Sequence, residues 1–165
     1  RLFAAIPERY ERLRALAQQT AARPRVMLNT PYRDTWFMPA RNSYMVRLLE
    51  DAGARYVFEE NTATQTLPID IEQAYYLTSK SDFWLNVSGC NTLDEVRRQN
   101  PRLADTPPVR EGRVYDNNRR RNATGGSDFW ESGVLRPDRV LADLVHIFHP
   151  ELSETDELYY YRQLE

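Results

Sequence analysis

The chain has one cysteine and one lysine, Cys90 and Lys80, among its 165 residues. A single thiol excludes an intrachain disulfide and leaves the redox compartment unstated. Cys90 has no candidate base near it in sequence, so it reads as a small buried hydrophobe. Long apolar runs are missing too; none approaches the ~20 residues a membrane-spanning helix needs. No Gly-x4-Gly-Lys-Ser/Thr pattern and no GxGxxG exist, so Gly125-Gly126-Ser127 is not a phosphate loop. HExxH is absent, and neither Ser88 nor Ser127 sits in a GxSxG elbow. The formal net charge of −2 supplies no global pull towards nucleic acid or an anionic membrane. No signal peptide is visible ahead of Arg1, so the numbering is expected to begin inside a longer gene product. No enzyme, no metal ligand, no cofactor and no nucleic-acid partner are expected.

What is present is the composition of a globular domain, 41% hydrophobic and 28% charged. Phe3, Ile6, Tyr10, Leu13 and Ala17 recur at steps of three and four, one apolar face of a helix that Pro7 starts or kinks and Pro24 ends. Val26-Met27-Leu28 reads as a short buried strand. Trp36-Phe37-Met38 is a second apolar run, closed by Pro39. Asn42 or Ser43 caps a helix whose stripe is Tyr44, Met45, Leu48, Leu49 and Ala52, with Gly53 just past its end. Arg55–Glu59 is expected as a strand. Asp70 caps a helix carrying Ile71, Ala74 and Tyr75, and Asp82–Val87 follows as a strand. Thr92-Leu93-Asp94-Glu95 fits a capping box. Arg102–Glu111 is a Pro-rich connection, and Gly112 launches the strand Arg113-Val114-Tyr115. Pro137 opens the best helix, with Val140, Leu141, Leu144, Val145 and Phe148 on one side, and Pro150 ends it. Glu157–Leu164 is expected as a terminal helix packing its tyrosines. Strands alternating with helices of about ten residues argue for an α/β fold with a sheet covered on both faces.

Asn117–Gly133 breaks that rhythm. It holds Arg119, Arg120 and Arg121, a Gly-Gly pair, and Phe129-Trp130, with no helical or strand period. Flexible backbone, planar cations and aromatic faces suit a ligand-contacting loop, and a long solvated crossover has the same composition. One three-residue basic run in a mildly acidic chain is thin support for a nucleic-acid surface. His146 and His149 stand three apart on a helix, a spacing that could serve a metal. Without a cysteine cluster or third ligand, capping of the helix C-terminus by an imidazole fits better.

Several stretches together resemble a known family. The first helix running into Pro24-Arg25-Val26-Met27-Leu28 resembles the inter-lobe backbone helix entering the C-terminal lobe of ABC-importer substrate-binding proteins. The class meant is the helical-backbone one that carries ferric siderophores, haem, cobalamin or bare metals. Asn42-Ser43-Tyr44-Met45 through Leu48-Leu49-Glu50-Asp51-Ala52-Gly53 is similar to its S-Y-M … L-x-x-D-A-G helix. Ile71-Glu72-Gln73 and Lys80-Ser81-Asp82-Phe83-Trp84-Leu85 resemble the following helix and A-D-x-W-L strand. Val109–Tyr115 resembles the V-x-x-G-x-V-Y strand entry. Val134-Leu135-Arg136-Pro137, Leu141-Ala142-Asp143-Leu144 and Phe148-His149-Pro150-Glu151-Leu152 resemble the closing helix. The Asn-Asn-Arg-Arg … Gly-Gly … Trp-Glu loop is that of Bacteroidetes-type members.

The resemblance implies a three-layer α/β/α lobe with a small, mainly parallel sheet. Residues 1–23 would be the end of the backbone helix and 24–165 the C-terminal lobe, without the N-terminal lobe. It implies no chemistry, only capture of an iron complex, ferric siderophore or haem, for delivery to ABC permease subunits. Cobalamin or a bare metal is the alternative within the class, and an enzyme or regulatory module on the same lobe is the alternative outside it. A monomer is expected, in the periplasm or lipid-anchored to the outer face of the membrane through a segment outside this chain. The candidate ligand contacts are Tyr32, Arg33, Trp36, Arg41 and Tyr44 near the early strands, and Arg119, Arg120, Arg121 and Trp130 on the later loop. Binding sites in such folds gather at one edge of the sheet, where these loops would converge. One or two of the three arginines are expected to point into solvent, and Trp130 is either a ligand face or the loop's core anchor. Glu72 matches the glutamate that pairs with permease arginines; its other reading is a first-turn carboxylate favoured by the helix dipole.

Overall fold

In the computed structural model, the described residues are 2–165, with side chains from Ala5 onward; Arg1 and the Phe3 side chain of the first helical stripe lie outside them. In chain order the elements are α1 (Leu2–Gln18), β1 (Arg25–Leu28), β2 (Trp36–Met38), α2 (Tyr44–Asp51), β3 (Arg55–Tyr56), β4 (Leu67–Ile69) and α3 (Ile71–Ser79). They continue with β5 (Phe83–Leu85), α4 (Leu93–Gln99), α5 (Pro107–Arg110), β6 (Val114–Asp116), α6 (Ser132–Leu135), α7 (Pro137–Phe148) and β7 (Arg162–Gln163). Single 3-10 turns occupy Pro101–Leu103, Asp128–Trp130 and Pro150–Leu152. The contacts fall into two compact units, one of Arg1–Arg23, Leu48–Ala54 and Asn117–Arg162, the other of Pro24–Arg47, Arg55–Asp116 and Gln163–Glu165. The class is mixed α/β, with a mainly parallel sheet as expected.

The second unit is built on that sheet, ordered β3-β1-β5-β6-β7. Strands β3, β1, β5 and β6 run parallel, with Met27 opposite Trp84, Leu28 opposite Leu85, and Trp84 opposite Val114. Val26, Met27, Leu28, Trp84 and Leu85 are all buried, the continuous apolar character of strands covered on both faces. Beyond β7, the Leu164 amide donates to the Val114 carbonyl at 2.9 Å. The strand expected over Arg55–Glu59 keeps only two residues plus one more ladder bond, from the Val57 amide to Val26, before the chain turns at Phe58–Asn61. β2 pairs antiparallel with β4 in a separate ribbon, Phe37 opposite Pro68. Pro68, which argues against a central strand, is tolerated there because a two-stranded ribbon has free edges.

Helix starts in this unit follow the sequence closely. The Ser43 hydroxyl accepts from the Val46 amide at 3.3 Å, and the Asp70 carboxylate accepts from Gln73 at 2.8 Å. Thr92 accepts from the Glu95 amide at 3.1 Å, while the Glu95 side chain reaches back to the Asn91 amide at 2.8 Å. The buried face of α3 is Ala74, Leu77 and Thr78, so Ile71 and Tyr75 of the expected stripe stand exposed. Likewise Tyr44 is half exposed, and Val46 is the buried residue of that turn. The connection Arg102–Glu111 contains a 3-10 turn and α5, both opened by proline at a first-turn position where no N–H is needed.

In the first unit α1 packs along α7. Leu13 and Ala17 are buried, as are Val140, Leu141, Leu144, Val145 and Phe148, the stripe the spacing predicts. Pro7 lies inside α1, and the helix stops at Gln18, well before Pro24. Gly53 is required by its surroundings. Its φ is +81°, and a Cβ there would lie 2.8 Å from His149 Nε2 and 2.9 Å from the Ala17 carbonyl.

Residues 157–164 are not a helix. Their amides are taken elsewhere: Asp143 of α7 accepts the backbone N–H groups of Tyr159, Tyr160 and Tyr161 at 2.8, 2.6 and 3.0 Å. That carboxylate curls the backbone around itself at 159–161, while Tyr160 and Tyr161 are buried.

Candidate functional site

Two constellations carry the candidate ligand residues, one in each unit. In the second unit, the chain leaves β1 through Asn29 with φ +74° and leaves β5 through Asn86 with φ +64°. Asparagine is among the few side chains that enter this left-handed region readily. The Asn29 side-chain amide donates to the Phe37 carbonyl at 2.9 Å, and the Asn29 backbone carbonyl accepts the Trp84 indole N–H at 2.7 Å. Trp36 donates to the Leu28 carbonyl at 3.1 Å and stacks on Trp84, ring centroids 5.7 Å apart. Two indoles thus brace one loop from beneath. Trp36 is only 2% exposed, so the structure spends this candidate contact on the core.

The braced loop presents Tyr32 and Arg33 outward. Tyr32 and Thr35 exchange backbone hydrogen bonds of 2.8 and 3.2 Å, closing a tight turn with Arg33 at φ +59°. Tyr32 is 67% exposed, and the Arg33 guanidinium lies 5.5 Å from its ring centroid. Neither Arg33 nor Tyr32 has a carboxylate partner among the described residues. Arg41 instead donates to the Glu59 carbonyl at 2.7 Å. Partial burial pushes the Tyr44 hydroxyl above its ordinary range, so it stays a neutral donor. Asn29, Trp84 and Asn86 were not singled out by sequence; an asparagine directly after an apolar strand was the available signal.

In the first unit, the loop after β6 is more ordered than its composition suggests. The Asn122 side chain accepts from the Thr124 amide, the Thr124 hydroxyl and the Gly126 amide at 2.9–3.0 Å, and Gly125 turns at φ +88°. Arg121 and Ser127 bridge across this turn. All three arginines donate to main-chain carbonyls: Arg119 to Leu158, Arg120 to Tyr159 at 3.0 Å, Arg121 to Gly125 at 2.9 Å. Phe129, not Trp130, is the buried anchor, meeting Tyr160 and Tyr161 edge-on at 6.0 and 5.7 Å. Trp130 stands edge-on to Phe129 at 4.8 Å and is 64% exposed, with Val134 and Leu135 exposed after it.

The two histidines go separate ways. His146 Nδ1 meets the Ser153 hydroxyl at 2.7 Å, and His149 Nε2 meets the Gly53 carbonyl at 2.9 Å. Neither ring caps its own helix, which corrects that expectation; the His149 amide closes α7 on Val145 instead. Among the described residues no group of three His, Cys, Asp or Glu side chains is placed to hold a metal ion. Glu72, in the first turn of α3, forms an exposed ion pair with Arg102 at 2.8 Å, and Arg102 lies 5.8 Å from the Tyr75 ring centroid. Cys90 is buried, and desolvation pushes its thiol up, away from nucleophilic use.

The sequence profile of the periplasmic binding protein family matches residues 1–119. An uncharacterized lipoprotein of Methanocaldococcus jannaschii is 27% identical over 131 residues, 78% of this chain and 30% of that protein. A periplasmic haem-binding protein from Pseudomonas aeruginosa superposes with TM-score 0.64 at 22% identity, covering 96% of this chain and 55% of that one. The periplasmic binding protein FepB of Veillonella parvula gives 0.66 at 14%, covering 97% and 54%. The haem-binding RhuT of Roseiflexus gives 0.64 at 19%, covering 89% and 54%. The chain therefore spans about half the length of these solved proteins and less than a third of the lipoprotein. At these identities the superpositions speak for the fold.

Proposed function

This chain belongs to the periplasmic binding protein family, and from that premise we propose that it is the C-terminal lobe of a two-lobed solute receptor serving an ABC importer. Its cargo is an iron complex, ferric siderophore or haem, held at the periplasmic face of the membrane by a protein that is free or lipid-anchored. The observation that carries the reading is the exposed Tyr32–Arg33 pair, set on a loop braced by two stacked indoles at the carboxyl end of β1. A rigid loop that offers an aromatic face and an uncommitted guanidinium suits an anionic, partly apolar chelate. Trp130 adds a second exposed ring, and Arg41 and Tyr44 add polar contacts in the second unit. Haem binding by two of the similar solved proteins supports the same class of ligand. Glu72 is the carboxylate proposed to meet the permease.

Calorimetry tests this on two forms. The present chain alone should bind ferric siderophores and haem with millimolar affinity or not measurably, because it offers only part of a cleft. A protein carrying both lobes should reach submicromolar affinity, since two linked contact surfaces act at high effective concentration. Submicromolar binding by this chain alone, or none by the two-lobed protein, would sink the reading.

A further inference from the structure

The first unit holds a cavity of about 420 Å³. Arg9, Arg120, Arg136 and Arg139 all line it, around Tyr159. Two of these cations are already neutralised. Arg136 grips Asp138 with two hydrogen bonds of 2.9 Å, and Arg9 reaches Asp138 at 3.2 Å and Glu154 at 3.7 Å. The other two are not. Arg120 and Arg139 lie over the same Tyr159 ring, at 3.7 and 4.4 Å from its centroid. Arg120 spends one N–H on the Tyr159 carbonyl, and the Arg139 guanidinium has no hydrogen bond or ion pair among the described residues.

A guanidinium over a ring satisfies its flat face and keeps its N–H donors, which lie in its own plane, for another acceptor. The acidic groups of the cavity do not fill that role. Asp143 gives both oxygens to the amides of Tyr159–Tyr161, and Glu157 stands 3.9 Å from Arg119. Two guanidinium groups packed on one ring, with N–H donors left open, put uncompensated positive charge on the wall of the cavity, where an anion can pair with it. We infer that this cavity is a binding site for a small multivalent oxyanion, a carboxylate or a phosphate, gripped by Arg120 and Arg139. It lies within one unit and takes metal-free ligands, so its test is distinct from that of the iron-complex reading although Arg120 is a candidate contact in both.

The test titrates this chain with tricarballylate and, separately, with inorganic phosphate in metal-free buffer of low ionic strength, by calorimetry. Saturable submillimolar binding of either one is expected, and which of the two binds tells a carboxylate source from a phosphate source. R139Q and R120Q should each weaken it at least tenfold, while Tyr159→Phe, which keeps the ring, should bind within about threefold of the parent chain. If R139Q fails to fold, chemical-shift mapping on the parent chain decides. Shifts centred on Arg139 and Tyr159 support the site; shifts only elsewhere overturn it. No saturable binding of either anion, or full affinity in folded R139Q, also overturns it.

Discussion

Asp143 Oδ2 lies 2.6 Å from the backbone nitrogen of Tyr160, in the centre of three consecutive amides that this one carboxylate accepts. The bond ties the middle of α7 to a bend sixteen to eighteen residues later. Replacing Asp143 by Ala would leave buried N–H groups unpaired, each a penalty of ~1–3 kcal/mol. We expect Asp143→Ala to lower the unfolding free energy by at least ~2 kcal/mol in urea titrations. A change under about 0.5 kcal/mol would show that the amides find water instead.

Asp138 and Asp143 should pull acid stability in opposite directions. Burial alone would raise the Asp138 carboxyl, but hydrogen bonds from Arg136 and Arg9 outweigh it and hold the group below the ordinary carboxylate range. Its contribution is complete above the unfolded value of ~3.9 and is lost as pH falls through the lower folded value. Burial pushes Asp143 up despite its three amide donors. That group therefore favours the fold most below the unfolded value and gives up stability as pH rises towards its folded one. Urea midpoints measured from pH 2.5 to 6 should show D138N losing part of the acid-side slope and D143N changing the slope with the other sign. Parallel curves for both variants and the parent would contradict the assignment.

Phe129 and Trp130 are adjacent yet should separate cleanly. Phe129 is buried against two tyrosines, so Phe129→Ala should cost ~3–5 kcal/mol of stability. Trp130 is mostly exposed, and Trp130→Ala should change stability by under ~0.5 kcal/mol while weakening haem or siderophore binding in the two-lobed protein. Thermal melts together with calorimetry give both readouts. A destabilised Trp130→Ala with unchanged affinity would make Trp130 a packing residue.

For docking, Glu72→Ala in the two-lobed protein should reduce transport into vesicles and leave ligand affinity unchanged. Arg102 now holds Glu72 in an exposed ion pair, an interaction worth ~0–1 kcal/mol, small enough for a permease cation to displace. Arg102→Ala should then leave transport intact or raise it. If Glu72→Ala lowers affinity and spares transport, the docking role belongs to another residue.

Element starts were the most legible feature of the chain. Ser43, Asp70 and Thr92 cap the helices that follow them because a short side-chain acceptor meets a free N–H within three residues, a purely local event. The buried stripe of α7 was equally plain, since period and burial coincide over several turns. Strand lengths were less so: β3 stops at Tyr56 although Val57 and Phe58 are apolar, because pairing depends on what the neighbouring strand offers. Trp36 and Trp130 were alike by sequence, each an aromatic beside a polar loop. Only the fold placed one on Trp84 and the other in solvent.

Local chemistry by itself determined the α/β class, the caps and the α7 stripe, since each depends on residues within a few positions of one another. Tertiary structure decided the rest. Residues 157–164 carry apolar residues at helical spacing, and they are not helical because Asp143, on a distant helix, takes three of their amides. The arginine run looked like three equivalent cations and became three different carbonyl contacts, one of them over Tyr159. A hydrogen-bonding group commits to whichever partner the folded backbone brings within 3 Å, and sequence distance does not encode that choice.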